Sequence, residues 1–153
     1  MIKSLVSFIR EQMADDAPTP EASEARLRLV TAALLVEVMA IDGHLDDAEG
    51  KVRRSALRDR LGLAEADIDQ LIERAREEVD HATSLFEFTT DINGHCDQQE
   101  KNQLIEWLWR MAYADGMIDA LEEATIRQVA ELIHVPHSAF IRAKHRAREV
   151  NGH

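Results

Sequence analysis

The sequence contains few of the residues that interrupt helices or indicate other folds. Only 6 glycines and 3 prolines occur in 153 residues, and no stretch alternates apolar and polar residues as a half-buried strand does. The single cysteine, Cys96, cannot form an internal disulfide, which favours a reducing compartment. The longest nearly apolar run, residues 29–41, is shorter than the roughly 20 residues that cross a bilayer. These absences predict an all-α protein of the cytoplasm.

The charge of the chain excludes one class of partner. Lysine and arginine number 18 against 29 aspartates and glutamates, which gives a net charge of −11. Such a chain repels phosphate backbones, so we expect no nucleic acid partner. Cations and basic protein surfaces remain suitable partners. No glycine-rich phosphate loop is present, and we expect neither an organic cofactor nor an enzyme activity.

The chain divides into a short N-terminal part and one helical domain. Residues 1–22 form an amphipathic helix and a proline-containing linker; the helix lacks the features of a secretory signal and is expected to pack on the domain or on a partner. Residues 23–150 are predicted to form a compact all-α domain of about seven helices. Helical periodicity and break residues place these helices near 21–41, 47–61, 64–79, 83–92, 97–115, 119–133 and 136–149.

Two breaks between helices share an acidic pattern. Residues 40–49 read "AIDGHLDDAE" and residues 113–122 read "YADGMIDALE". A shift of 73 positions superimposes their glycines and three acidic pairs, which are Asp42 and Asp115, Asp46 and Asp119, and Glu49 and Glu122. The repeat predicts two similar halves related by a pseudo-two-fold duplication.

Helix capping explains part of this pattern but not all of it. Asp46, Asp97 and Asp119 are each followed three residues later by glutamate, as in a capping box at the start of a helix. Asp42 and Asp115 instead end a helix, where a carboxylate faces the negative end of the macrodipole. Each acidic break matches only half of a calcium loop, so neither is an EF-hand. We therefore hypothesise that Asp42 and Asp115 serve a hard cation.

Glu37 is a separate anomaly. It is the only charged residue between positions 29 and 41, on a helix expected to be buried nearly all round. A buried carboxylate needs a partner, because an unpaired one takes up a proton or destabilises the fold. The candidate partners are an arginine or a metal ion. Arg54, Arg110 and Arg127 are the arginines that could pair with the acidic residues as a group.

The acidic stretches resemble a known family. "EVMAIDGHLDDAE" (37–49) and "EWLWRMAYADGMIDALEE" (106–123), with "SLFEFT" and "VPHSAFIRAK", are similar to motifs of stand-alone bacterial members of the tellurite-resistance TerB-like family, over roughly residues 25–145. The resemblance implies a compact all-α domain of two halves, acidic residues that chelate metal, and a link to tellurite and other stress responses. The metal ligands that it implies are Glu37, Asp42, Asp46, Glu49, Asp115, Asp119 and Glu122.

Two functions follow from these observations. The first is a non-enzymatic, cytoplasmic TerB-like domain that binds a divalent cation, with calcium or magnesium favoured over zinc. The alternative is a protein-interaction module whose acidic residues are only helix caps and salt-bridge partners. For either function we expect a protein partner, and the sequence leaves a membrane-associated one open. Trp107 is predicted to pack inward with Met111, and Trp109 to lie nearer the surface, where it could contact that partner.

Rival chemistry has weaker support. Glu78 with His81, and Glu131 with His134, have the Glu-x-x-His spacing of carboxylate-bridged di-iron bundles. However, Glu131 lies off the apolar stripe of its helix, and His81 is expected at a helix end. Cys96 follows a histidine, but no third catalytic group is nearby in the sequence, which favours an inert thiol.

Overall fold

The computed structural model describes residues 5–14, 19–41, 43, 45–78, 80–114 and 120–150, without the side chains at positions 14, 49, 82, 114, 120–122 and 150. Eight helices and no strand occur within these ranges. The helices are α1 (Leu5–Ala14), α2 (Pro20–Ile41), α3 (Ala48–Arg60), α4 (Glu65–Glu77), α5 (His81–His95), α6 (Gln98–Ala114), α7 (Ala120–Leu132) and α8 (His137–Val150). The prediction of an all-α fold is therefore confirmed for the described residues.

The core is built around α2, which contacts α1, α4, α5 and α6. Its apolar run is buried nearly all round, as the composition of residues 29–41 predicts. Thr31 and Glu37 are the polar residues buried on this helix. The Thr31 hydroxyl donates to the carbonyl of Leu27 at 2.8 Å, so it is satisfied within the helix. A carboxylate cannot be satisfied in this way, and Glu37 must find its partners on other elements.

The order of elements is similar in the two halves of the chain. α2, α3 and α4 follow one another as helix, break, helix and helix, and α6, α7 and α8 have the same order. In each half the first helix packs against the third, α2 against α4 and α6 against α8. Residues 42, 44 and 115–119 of the acidic breaks lie outside the described part of the chain. The internal duplication therefore stays a prediction.

The side-chain caps at the starts of α6 and α3 test two of the predicted capping boxes. At α6 the Glu100 amide donates to Asp97 Oδ1 at 2.8 Å and the Asp97 amide donates to Glu100 Oε1 at 3.0 Å, which is the predicted capping box. At α3 the cap is Asp47, whose Oδ1 accepts from the Gly50 amide at 3.0 Å. The expected cap was Asp46, one residue earlier. Asp46 instead lies outside the helix and pairs with Arg76.

Substitution of the two adjacent aspartates tests this helix start. Asp47→Ala should lower the free energy of unfolding by about 1 kcal/mol, because it leaves an N-terminal amide of α3 without its acceptor. The matched control Asp46→Ala removes only an exposed ion pair and should cost less than about 0.5 kcal/mol. Urea unfolding of both variants measures the difference. A larger loss for Asp46→Ala would move the cap back to Asp46.

The prediction for Trp109 was wrong. Its side chain is fully buried, and so is nearly all of Trp107. The Trp109 ring lies 5.9 Å from that of Tyr113 and 5.3 Å from that of Phe140 on α8, and the Lys144 ammonium lies 5.2 Å from its centroid. α6 is covered by α2 on one side and by α8 on another, so residues on opposite faces of this helix are both inside. Trp109 therefore offers no surface to a partner.

The N-terminal amphipathic segment packs on the domain. α1 contacts α2, α4 and α5, and its apolar residues Leu5, Val6, Ile9 and Met13 are buried. On its outer side, Arg10 pairs with Asp91 of α5 at 2.9 Å. Within the described residues, none of the helices combines the length and hydropathy needed to cross a bilayer.

Candidate metal centre

Three elements bring one acidic or imidazole side chain each to a single point. Glu37 lies near the C-terminal end of α2, Glu78 follows the last residue of α4, and His81 is the first residue of α5. α4 ends because Glu78 adopts an extended backbone conformation (φ −76°, ψ 138°). α5 then begins at the Asp80 cap, which accepts from the Thr83 amide at 3.1 Å. This tight corner between two helices turns Glu78 and His81 toward α2.

The three side chains are close enough to share one ion. His81 Nδ1 lies 2.7 Å from Glu37 Oε1 and 3.3 Å from Glu78 Oε2. One ligand atom from each of the three residues lies within 4.8 Å of the other two. The second oxygen of Glu78, Oε1, accepts a hydrogen bond from the backbone amide of Leu5 at 3.1 Å. We call Glu37, Glu78 and His81 the buried triad.

Burial makes the triad electrostatically unusual. The Glu37 side chain is 0% exposed and that of Glu78 is 4% exposed, whereas that of His81 is 27% exposed. Glu37 Oε2 and Glu78 Oε2 are buried without a hydrogen-bond donor. No lysine or arginine of the described residues pairs with either carboxylate. Among the described residues, the partly exposed His81 imidazole is therefore the basic group in contact with these two buried acids, which normally require a cationic partner.

A proton relieves this arrangement when no metal is bound. Burial, followed by the hydrogen bond to Glu78 and the charge of Glu78, raises the pKa of Glu37 to about 9. Near neutral pH Glu37 is therefore protonated and can donate to the Glu78 carboxylate. A cation that displaces this proton would find two carboxylate oxygens and one imidazole nitrogen converging on it. These are common protein ligands of divalent metals.

The sequence-predicted ligands do not all fall in this place. Glu37 belongs to the buried triad, whereas Asp46 is exposed and forms an ion pair with Arg76 of α4, as the salt-bridge alternative expects for this residue. The other five are not described at the level of side chains. Asp42, Asp115 and Asp119 lie outside the described residues, as do the side chains of Glu49 on α3 and Glu122 on α7.

The arginines considered as partners of the acidic residues pair elsewhere. Arg54 pairs with Asp69, Arg110 with Glu106, and Arg127 with Glu123. The carboxylates that they neutralise lie on α4, α6 and α7, outside the buried triad. Glu37 therefore receives no arginine from this set.

Sequence reasoning noted Glu78 and His81 only as a di-iron spacing. The sequence feature that could have identified them is the need of Glu37 for a partner, together with an acid and a histidine at the boundary between α4 and α5. The second pair, Glu131 and His134, is exposed, and His134 lies after the end of α7 with a φ of 61°. Burial raises the pKa of the Cys96 thiol to about 11, which agrees with an inert cysteine.

Comparison with known proteins supports the resemblance in the acidic motifs. The family model described as "Tellurite resistance protein TerB" matches residues 28–145, a range that contains all three residues of the buried triad and both acidic breaks. No curated protein and no solved structure matches the chain significantly. The family model covers most of the chain and agrees with its all-α fold. The chain therefore belongs to the TerB family.

Proposed function

We propose that this TerB-family chain is a non-enzymatic, cytoplasmic domain that binds one divalent cation at the buried triad. The observation that carries the proposal is the convergence of Glu37, Glu78 and His81, whose ligand atoms lie within 4.8 Å of one another. Two buried carboxyl groups in contact need a proton or a cation between them, because two bare charges at this distance would be costly. The His81 nitrogen beside them adds a third ligand, and the His81 side chain, which is 27% exposed, offers a route from solvent.

The ligand set favours a different cation from the one expected for the acidic breaks. Calcium takes six to eight oxygen ligands, and magnesium keeps several waters in an octahedral shell. Imidazole with carboxylate instead suits zinc and ferrous iron, and three protein ligands leave a position open for water or a partner. We therefore propose zinc or a similar transition ion for the buried triad. Calcium or magnesium remains the proposal for Asp42, Asp115 and their neighbours.

The ligand proposed here is the cation and not the tellurite oxyanion. The triad contains the Glu78 carboxylate within a chain of net charge −11, and this negative charge repels an anion. A role in tellurite or other stress responses would then depend on cation occupancy, read by a protein partner. The alternative of a pure interaction module loses its aromatic contact, because Trp109 is buried.

Calorimetric titration of the metal-free protein tests the proposal. Zinc should bind at one site and displace about one proton per ion near pH 7, because Glu37 is protonated below its pKa of about 9. Its affinity should therefore rise between pH 6 and pH 8, by at most about tenfold per unit. Buffers of different ionisation enthalpy give the number of protons released.

The same titration with calcium, magnesium and manganese separates the two candidate regions. Binding of calcium or magnesium without proton release would indicate the acidic breaks at residues 40–49 and 113–122. If none of these cations binds, the proposal is refuted, and Glu37 and Glu78 are two acids that share a proton and serve only the fold.

A further inference from the structure

The N-terminal helix α1 lies against all three elements that carry the triad. It contacts α2, α4 and α5, and it precedes the family match, which begins at residue 28. Leu5 and Ile9 are fully buried in this contact. Arg10 pairs with Asp91, and the Arg74 guanidinium lies 4.5 Å from the Phe8 ring centroid. Apolar contacts, an ion pair and a cation–π contact therefore hold α1 against the elements that carry the triad.

One contact of α1 reaches a triad residue directly. The Leu5 amide donates to Glu78 Oε1 at 3.1 Å. Amides in the first turn of a helix have no acceptor within that helix, and they lie at the positive end of its macrodipole. Because Oε1 is held by this amide, the other oxygen of Glu78, Oε2, is turned toward His81. The orientation of the Glu78 carboxylate therefore depends on α1.

We infer that the Leu5 amide is a positioning group of the cation site, and that α1 docking and cation binding strengthen one another. The inference rests on the proposed function of the triad. Groups that hydrogen-bond a metal ligand orient it, and their loss typically lowers metal affinity about 10- to 100-fold. Binding couplings are reciprocal, so the bound cation must stabilise the docked α1 by the same factor.

Two substitutions at one position isolate the amide. Leu5→Pro removes the N–H, at a helix start where proline is tolerated, while Leu5→Ala keeps the N–H and also loses the leucine side chain. Relative to Leu5→Ala, Leu5→Pro should bind zinc about 10- to 100-fold more weakly. The absorption spectrum of bound cobalt(II) should also differ between Leu5→Pro and Leu5→Ala, because Glu78 would coordinate the ion differently in the two variants.

Hydrogen exchange gives a second readout that does not depend on the two Leu5 variants. Zinc should slow the exchange of α1 amides in the wild type, and it should have no such effect in Glu37→Gln. Equal zinc affinity of Leu5→Pro and Leu5→Ala, with α1 exchange unchanged by zinc, would overturn the inference while the site itself stands. A wild type that binds no zinc would refute the proposed function and the inference with it.

Discussion

Glu37→Gln should leave the protein folded and abolish its cation-dependent rise in Tm. Glutamine has the shape of the protonated acid, its amide N–H can donate to Glu78, and its oxygen can accept from His81. It lacks the charge that a divalent cation requires. In the wild type, a cation at a hundredfold excess over its Kd stabilises by about 2.7 kcal/mol. For a chain of this size that corresponds to a rise of about 5–10 °C, measured by thermal melts in chelator and in zinc.

The raised pKa of Glu37 should make the stability of the metal-free protein depend on pH. Between pH 4.5 and about 9, folded Glu37 keeps a proton that the unfolded chain has released. Wild-type stability should therefore fall as pH rises through this window, by at most about 1.4 kcal/mol per unit. Glu37→Gln should be flatter, and so relatively more stable at pH 8 than at pH 5.

The exposed carboxylate of Asp46 provides the matched control. Asp46→Asn should retain both the cation-dependent rise in Tm and the pH dependence, because Asp46 lies outside the triad and pairs with Arg76. A Glu37→Gln protein that retains the full rise would place the cation elsewhere. If Glu37→Gln is much less stable than the wild type in chelator, Glu37 is charged and paired in the metal-free protein.

Trp109→Ala should destabilise the fold by about 3–5 kcal/mol. The substitution removes a fully buried indole from between Tyr113 and Phe140, and with it the main aromatic contact of α6 with α8. Urea unfolding measures the loss as a lower midpoint. The exposed Phe86 is the control, because its side chain is 64% exposed and its replacement by alanine should change stability by less than about 0.5 kcal/mol. Wild-type stability in Trp109→Ala would contradict the buried position.

Features set by neighbouring residues were predictable from the sequence. Helical periodicity and the scarcity of breakers predicted the helices, and the spacing of Asp97 and Glu100 predicted a cap that the structure contains. The apolar run around Glu37 predicted a buried acid in need of a partner. These features depend on contacts within a few positions along the chain, which sequence patterns record directly.

Features set by packing between distant segments were not predictable. Glu78 and His81 lie 41 and 44 residues after Glu37, and Glu78 sits between two helices, where helical periodicity gives no direction. The prediction that Trp109 lies near the surface was wrong because α2 and α8 cover α6 on two sides, and the indole is buried between α6 and α8. The cap of α3 shifted by one residue because Asp46 and Asp47 are chemically identical, and only the backbone selects between them.

Anomalous X-ray scattering from crystals soaked in zinc tests the central claim most directly. Data collected on either side of the zinc absorption edge locate the ion without reference to any variant. We predict one strong peak within about 2.0–2.2 Å of an oxygen of Glu37, an oxygen of Glu78 and the Nδ1 of His81. A well-occupied zinc peak elsewhere, with the triad unoccupied, would contradict the claim.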